Sequence, residues 1–115
     1  MRRKIILALL ISTVGSTALA AKDLRFWNLT GVTISELYLA PTGTTSWSSN
    51  QCKNDKDGTV DPDERLTIKG ITPGRYDVKL TDEHGRTCMV NNVEVKAGGA
   101  YAFSISDKQL THCTK

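Results

Sequence analysis

The sequence predicts an all-β protein, a small antiparallel β-sandwich of six or seven strands with an Ig-like or prealbumin-like arrangement. Three observations lead there. Apolar residues recur at every second position in a series of short runs, as a strand with one buried face requires. Gly, Pro, Asn and Asp punctuate those runs at close intervals. Beyond residue 20 no stretch carries the period of an amphipathic helix. Strands that are apolar on one face and polar on the other imply two sheets packed by their inner faces.

The elements follow in order. Leu24 and Phe26 alternate with Arg25 and Trp27, a half-buried strand. Leu29-Thr30-Gly31 reads as a turn, with Gly31 able to take positive φ. Val32 and Ile34 resume the apolar face, but Leu37 and Leu39 lie at odd spacing from Ile34, which a β-bulge near Ser35-Glu36 corrects. The stretch Phe26–Trp47 holds both tryptophans, a turn signal and a dense apolar strand, and later strands are expected to pair with it. Pro41–Thr59 has no apolar periodicity and is rich in Thr, Ser, Asn, Asp and Gly. Loops beyond about 15 residues are uncommon in compact domains and are often functional. Leu66 and Ile68 form the next strand, then Tyr76, Val78 and Leu80 follow a Pro73-Gly74 turn. Asp82-Glu83-His84-Gly85 is a hairpin loop with Gly85 suited to the left-handed position. Cys88 and Val90 continue a core face, and Asn91-Asn92 shifts the parity to Val93 and Val95, a second bulge. After Ala97-Gly98-Gly99, the residues Tyr101, Phe103 and Ile105 make the last clear strand, and the tail from Gln109 is polar apart from Leu110.

Residues 1–20 read as a secretory signal peptide, leaving 21–115 as a single domain. Arg2, Arg3 and Lys4 supply a basic start, Ile5 to Val14 an apolar run too short to span a bilayer, and Ala18-Leu19-Ala20 a cleavage site. The chain carries 15 Lys+Arg against 12 Asp+Glu. Three of those cations lie in the leader, so the remainder is neutral, which argues against a nucleic-acid partner. A periplasmic or secreted location permits disulfides. Cys52, Cys88 and Cys113 allow one bridge, and Cys88–Cys113 is preferred because Cys88 faces the core and Cys113 follows the last strand.

The run F-x-N-x-T-G-x-x-I-x-x-L-Y-x-x-P-x-G-x-x-x-W from Phe26 to Trp47 resembles a family of small exported bacterial proteins without an established biochemical activity. Pro73-Gly74-x-Tyr76-x-Val78-x-Leu80 and Val93-x-Val95-x-Ala97-Gly98 look like prealbumin-type or Ig-type modules of extracellular proteins. Both resemblances imply a β-sandwich in a bacterial envelope, and neither brings a catalytic residue with it.

Trp47 has two readings: a plug for one end of the core, or an exposed anchor for a partner, with outward Tyr38 as a second anchor. The segment from Lys53 to Glu64 imitates a calcium loop, placing Asp55, Asp57, Asp61 and Glu64 at ligand positions around Gly58. Lys53 stands where a carboxylate belongs and no helices flank the segment, so a solvated acidic loop is the competing reading. His84 and His112-Cys113 lack paired ligand spacing. Neither a nucleophile elbow nor a phosphate loop is present. The expectation is therefore a non-catalytic binding or structural protein without a cofactor, working through the 41–59 loop on another envelope protein or a cell-wall component. A calcium-binding protein is the alternative, and a small enzyme or inhibitor a further one.

Overall fold

The computed structural model describes residues 23–115. The expected signal peptide lies outside them. Seven strands form two sheets: β1 (Leu24–Leu29), β2 (Ile34–Pro41), β3 (Arg65–Ile68), β4 (Gly74–Asp82), β5 (Thr87–Val95), β6 (Phe103–Ser106) and β7 (His112–Thr114). One sheet has the order β3-β1-β6, the other β2-β4-β5-β7. The expected all-β sandwich is what the chain adopts. All pairings are antiparallel except β1 with β6, which run parallel. The Phe26–Trp47 stretch is divided between the sheets: β3 and β6 flank β1, β4 pairs with β2, and β5 and β7 pair with neither.

Inward residues meet in one core. Phe26 and Phe103 stack at 5.0 Å between centroids. Leu37, Leu39, Val78, Leu80 and Cys88 come from one sheet, and Leu66, Ile68 and Ile105 from the other. Both expected bulges are present. The β2–β4 register shifts between Ile34 and Glu36, returning Leu37 and Leu39 to the core. The β4–β5 register shifts where Asn91 and Asn92 oppose Asp77, with Asn92 at φ 58°. Asp77 supports that bulge by accepting the Asn92 N–H at 3.0 Å.

Two expectations are corrected. Tyr101 does not belong to the last strand; it is 40% exposed, and Ala102 takes the inward place, its N–H bonding to the Arg25 carbonyl at 2.7 Å. Gly31 takes no left-handed conformation. The turn after β1 is instead built on buried Asn28, whose Oδ1 accepts from the Thr30 N–H (3.0 Å) and hydroxyl (2.6 Å). Its Nδ2 donates to the carbonyls of Val32 (2.9 Å) and Val60 (3.0 Å).

Each open side of the sandwich is closed by a different device. On one side a 3₁₀ turn, Gln51–Asn54, packs against both β2 and β3 and inserts Gln51 and Cys52 into the interior. On the other, the chain passes from β6 through the turn Asp107–Gln109 to β7, and the Cys88–Cys113 disulfide ties β7 to β5 across a separation of 25 residues. A bridge of that span is worth about 3 kcal/mol.

Candidate functional site

Much of the 41–59 segment is bound to the free edge of β2. Ser48 donates its N–H to the Leu39 carbonyl at 2.8 Å, and its Oγ accepts the Leu39 N–H at 3.1 Å. Asn50 Oδ1 accepts the Leu37 N–H at 3.0 Å. The loop thus supplies the edge with the partners a further strand would give. One residue on, Gln51 does the same for the end of β3. Its amide is buried and bonds both ways with the Lys69 backbone, Nε2 to the carbonyl at 3.0 Å and Oε1 from the N–H at 2.9 Å. Asn54 adds a bond to the Thr67 carbonyl at 2.8 Å.

This anchoring sets the position of Trp47. It is half-buried and outside the core cluster, so it does not act as a plug. Its ring lies against the Lys79 ammonium, 4.6 Å from the centroid. Tyr38 pairs with Lys79 across β2 and β4, and its ring centroid is 5.2 Å from the same ammonium. Trp47, Lys79 and Tyr38 therefore meet on the outer face of the four-stranded sheet. Cation–aromatic contacts at such partly exposed sites contribute about 0.5–1 kcal/mol each. The Tyr38 hydroxyl donates to Glu36 Oε1 at 2.9 Å. That bond, and then partial burial, holds the phenol above its ordinary pKa. Trp47 and Tyr38 were singled out from sequence; Lys79 and Glu36 were not. The signal for Lys79 lay in the polar phase of its strand, which places it outward, but the cross-strand register that joins it to Tyr38 is a tertiary fact.

A second aromatic group lies on the outer face of the other sheet and was not foreseen. Trp27 packs on Tyr101 at 5.1 Å, carries the Arg65 guanidinium over its ring at 4.3 Å, and donates its indole N–H to Asp63 at 3.0 Å.

The carboxylates of the acidic segment bond to its own turns and to the neighbouring loop. Asp55, Asp57, Asp61 and Glu64 are not brought together; among the described residues no three acidic, histidine or cysteine side chains converge as an ion's ligands would. Gly58 does take the expected left-handed turn, at φ 74°. Asp55 Oδ2 accepts the Asp57 N–H at 3.1 Å, Asp61 accepts the Thr33 hydroxyl at 3.0 Å, and Glu64 caps the Asp61 N–H at 2.8 Å. These are turn-forming bonds, made locally or to the neighbouring loop.

Two buried ionisable groups complete the picture. Burial would push the Asp82 carboxyl up, but the N–H groups of Arg86 and His84 and the Arg86 guanidinium outweigh it and hold the pKa below its ordinary value. Asp82 thereby folds the β4–β5 hairpin, with Gly85 at φ 85°. Cys52 is the free thiol, fully buried, with its sulfur 3.6 Å from the Ile34 carbonyl. Burial, reinforced by Glu36 and Asp55, pushes it up to about 12.

No family model matches the chain, and neither a curated protein nor a solved structure matches it.

Proposed function

We propose that the chain is an exported protein of the bacterial envelope that works by binding rather than catalysis, and that its working surface is the Tyr38–Lys79–Trp47 face. The observation carrying this reading is that Trp47, delivered by an anchored loop, stays outside the core and shares one cation, the Lys79 ammonium, with Tyr38. Tryptophan and tyrosine held rigidly at a surface are the residues that dominate binding hot spots. Export is supported by the leader-like residues 1–20 and by the Cys88–Cys113 disulfide, a bond suited to an oxidising compartment. The resemblance of the Phe26–Trp47 run to small exported bacterial proteins points the same way. Binding is favoured over catalysis because Asp82, the buried carboxylate, is fully engaged by its hairpin, and the buried Cys52 thiol stays protonated.

The partner is another envelope protein or a cell-wall component. The test is retention of isolated peptidoglycan and of envelope extracts on immobilised wild type, Trp47→Ala and Tyr38→Ala. Either substitution is expected to weaken retention at least about tenfold while melting temperature is little changed. Equal retention by the folded variants would remove this face from the function.

A further inference from the structure

At one end of the sandwich, the start of β1, the β3–β4 connection and the β5–β6 connection enclose a cleft of about 960 Å³. That is at the upper end of the range for small-molecule pockets. Leu24, Ile68, Ile71 and Ala102 line it, and these belong to the core or pack against it, so the apolar interior reaches the surface here. One wall, the β5–β6 connection, is poor in side chains, with Ala97, Gly98, Gly99 and Ala100, while the other carries Ile71, Thr72 and Pro73 beside Gly70. Gly70 and Gly98 make left-handed turns, at φ 73° and 88°, and a Cβ at either would meet nothing within 4 Å. The charges beside the apolar lining are mostly of one sign: Arg25, Lys69 and Lys96, against Asp23. Lys96 has an acidic neighbour, Glu94 at 4.0 Å, but that pair is exposed and weak.

We propose that this cleft binds a free long-chain carboxylate, its alkyl chain on the Leu24–Ile71 lining and its anionic head among Arg25, Lys69 and Lys96. The apolar surface calls for a hydrocarbon, the three cations call for a negative head, and the small residues of the β5–β6 wall leave room for both. Each methylene removed from water is worth roughly fourfold in affinity, so binding strengthens from octanoate to laurate until the cleft is full. This site is separate from the Trp47 face and does not depend on it.

The experiment is amide NMR and calorimetric titration of the protein with octanoate, laurate and methyl laurate. The expected result is saturable binding of one laurate, with shifts confined to residues 69–73 and 96–100. Methyl laurate and octanoate bind at least about tenfold more weakly, for loss of the ion contacts and of buried methylenes respectively. Ala100→Trp, an exposed position whose new ring fills the cleft, abolishes binding, and Lys69→Glu with Lys96→Glu weakens it about tenfold, while Trp47→Ala leaves it unchanged. Equal affinity for the ester, shifts centred elsewhere, or no binding overturns the proposal. So does co-sedimentation with phosphatidylglycerol vesicles in a protein that ignores free laurate, which would make the end of the sandwich a membrane contact.

Discussion

Replacing Asn28 tests the idea that one buried amide holds the turn after β1 to the Val60 bridge on β2. Asn28 is fully buried and makes four hydrogen bonds. In Asn28→Ala the losses are unequal. The Val60 carbonyl keeps the Ile34 N–H at 2.9 Å, and the Val32 carbonyl keeps the Thr30 hydroxyl at 3.1 Å. The Thr30 N–H, at a residue only 3% exposed, is left without its acceptor. An orphaned buried donor costs about 1–3 kcal/mol, and the cavity adds about 1 more, so a loss of about 3 kcal/mol is expected. Asn28→Asp keeps the shape but turns a donor toward two carbonyls into an acceptor. The buried carboxylate is disfavoured, so its folded pKa lies above the unfolded value of about 3.9. A raised folded pKa means stability that is present in acid and lost as pH rises through the folded pKa. The deficit of Asn28→Asp relative to wild type is therefore largest at neutral pH and shrinks in acid. Urea denaturation followed by tryptophan fluorescence measures both variants. A cost below about 1 kcal/mol for the alanine, against the several expected for such a group, or a pH-independent deficit for the aspartate, would refute the reasoning.

Two further outcomes follow from the buried ionisable groups. Asp82 has a folded pKa held below the unfolded value, so its contribution is present at neutrality and lost as pH falls below about 4. Melts of wild type and Asp82→Asn should differ by about 2 kcal/mol at neutral pH and converge in acid; a constant difference would count against it. Cys52 has the opposite sign: its folded pKa of about 12 exceeds the unfolded value, so its contribution holds below about 8.5 and is lost as pH rises above it. The native thiol should be silent toward a thiol reagent at neutral pH and react once unfolded with the disulfide intact, and Cys52→Ala should flatten the alkaline limb; rapid native labelling would refute this.

How much of this was legible depends on what kind of fact each feature is. The bulges at Ser35-Glu36 and Asn91-Asn92 were readable because a mismatch in a two-residue period is countable along the chain. The Cys88–Cys113 bridge followed from facing and position. Asn28 was not readable: a polar residue at an inward position resembles a turn residue until its partners, one of them 32 residues away, are seen. Tyr101 was misplaced because its spacing from Phe103 and Ile105 is that of a strand, whereas the strand begins later and Ala102 turns inward. Strand β7 is three residues long and polar, so no periodicity reveals it. The parallel pairing of β1 with β6 and the meeting of Lys79 with Trp47 are long-range facts with no local trace.

The way the edges are finished bears on what kind of binding the fold permits. The free side of β2 is occupied by Ser48 and Asn50, and β3 by Gln51 and Asn54. At β6, Gln109 accepts the Ser106 N–H at 2.9 Å, and β7 is too short to template a strand. Long unpaired edges, the usual docking points for strand addition, are thus covered or curtailed. Partners are left with side-chain surfaces, and the aromatic residues collect there: Tyr38 and Trp47 on one outer face, Trp27 and Tyr101 on the other. In a chain with two tryptophans, both rings are outside the core and both carry a cation over the face. A fold that keeps Phe26, Phe103 and Tyr76 in its core, and holds both tryptophans at the surface, leaves side-chain faces rather than backbone edges open to contact, which is what the proposed binding role requires.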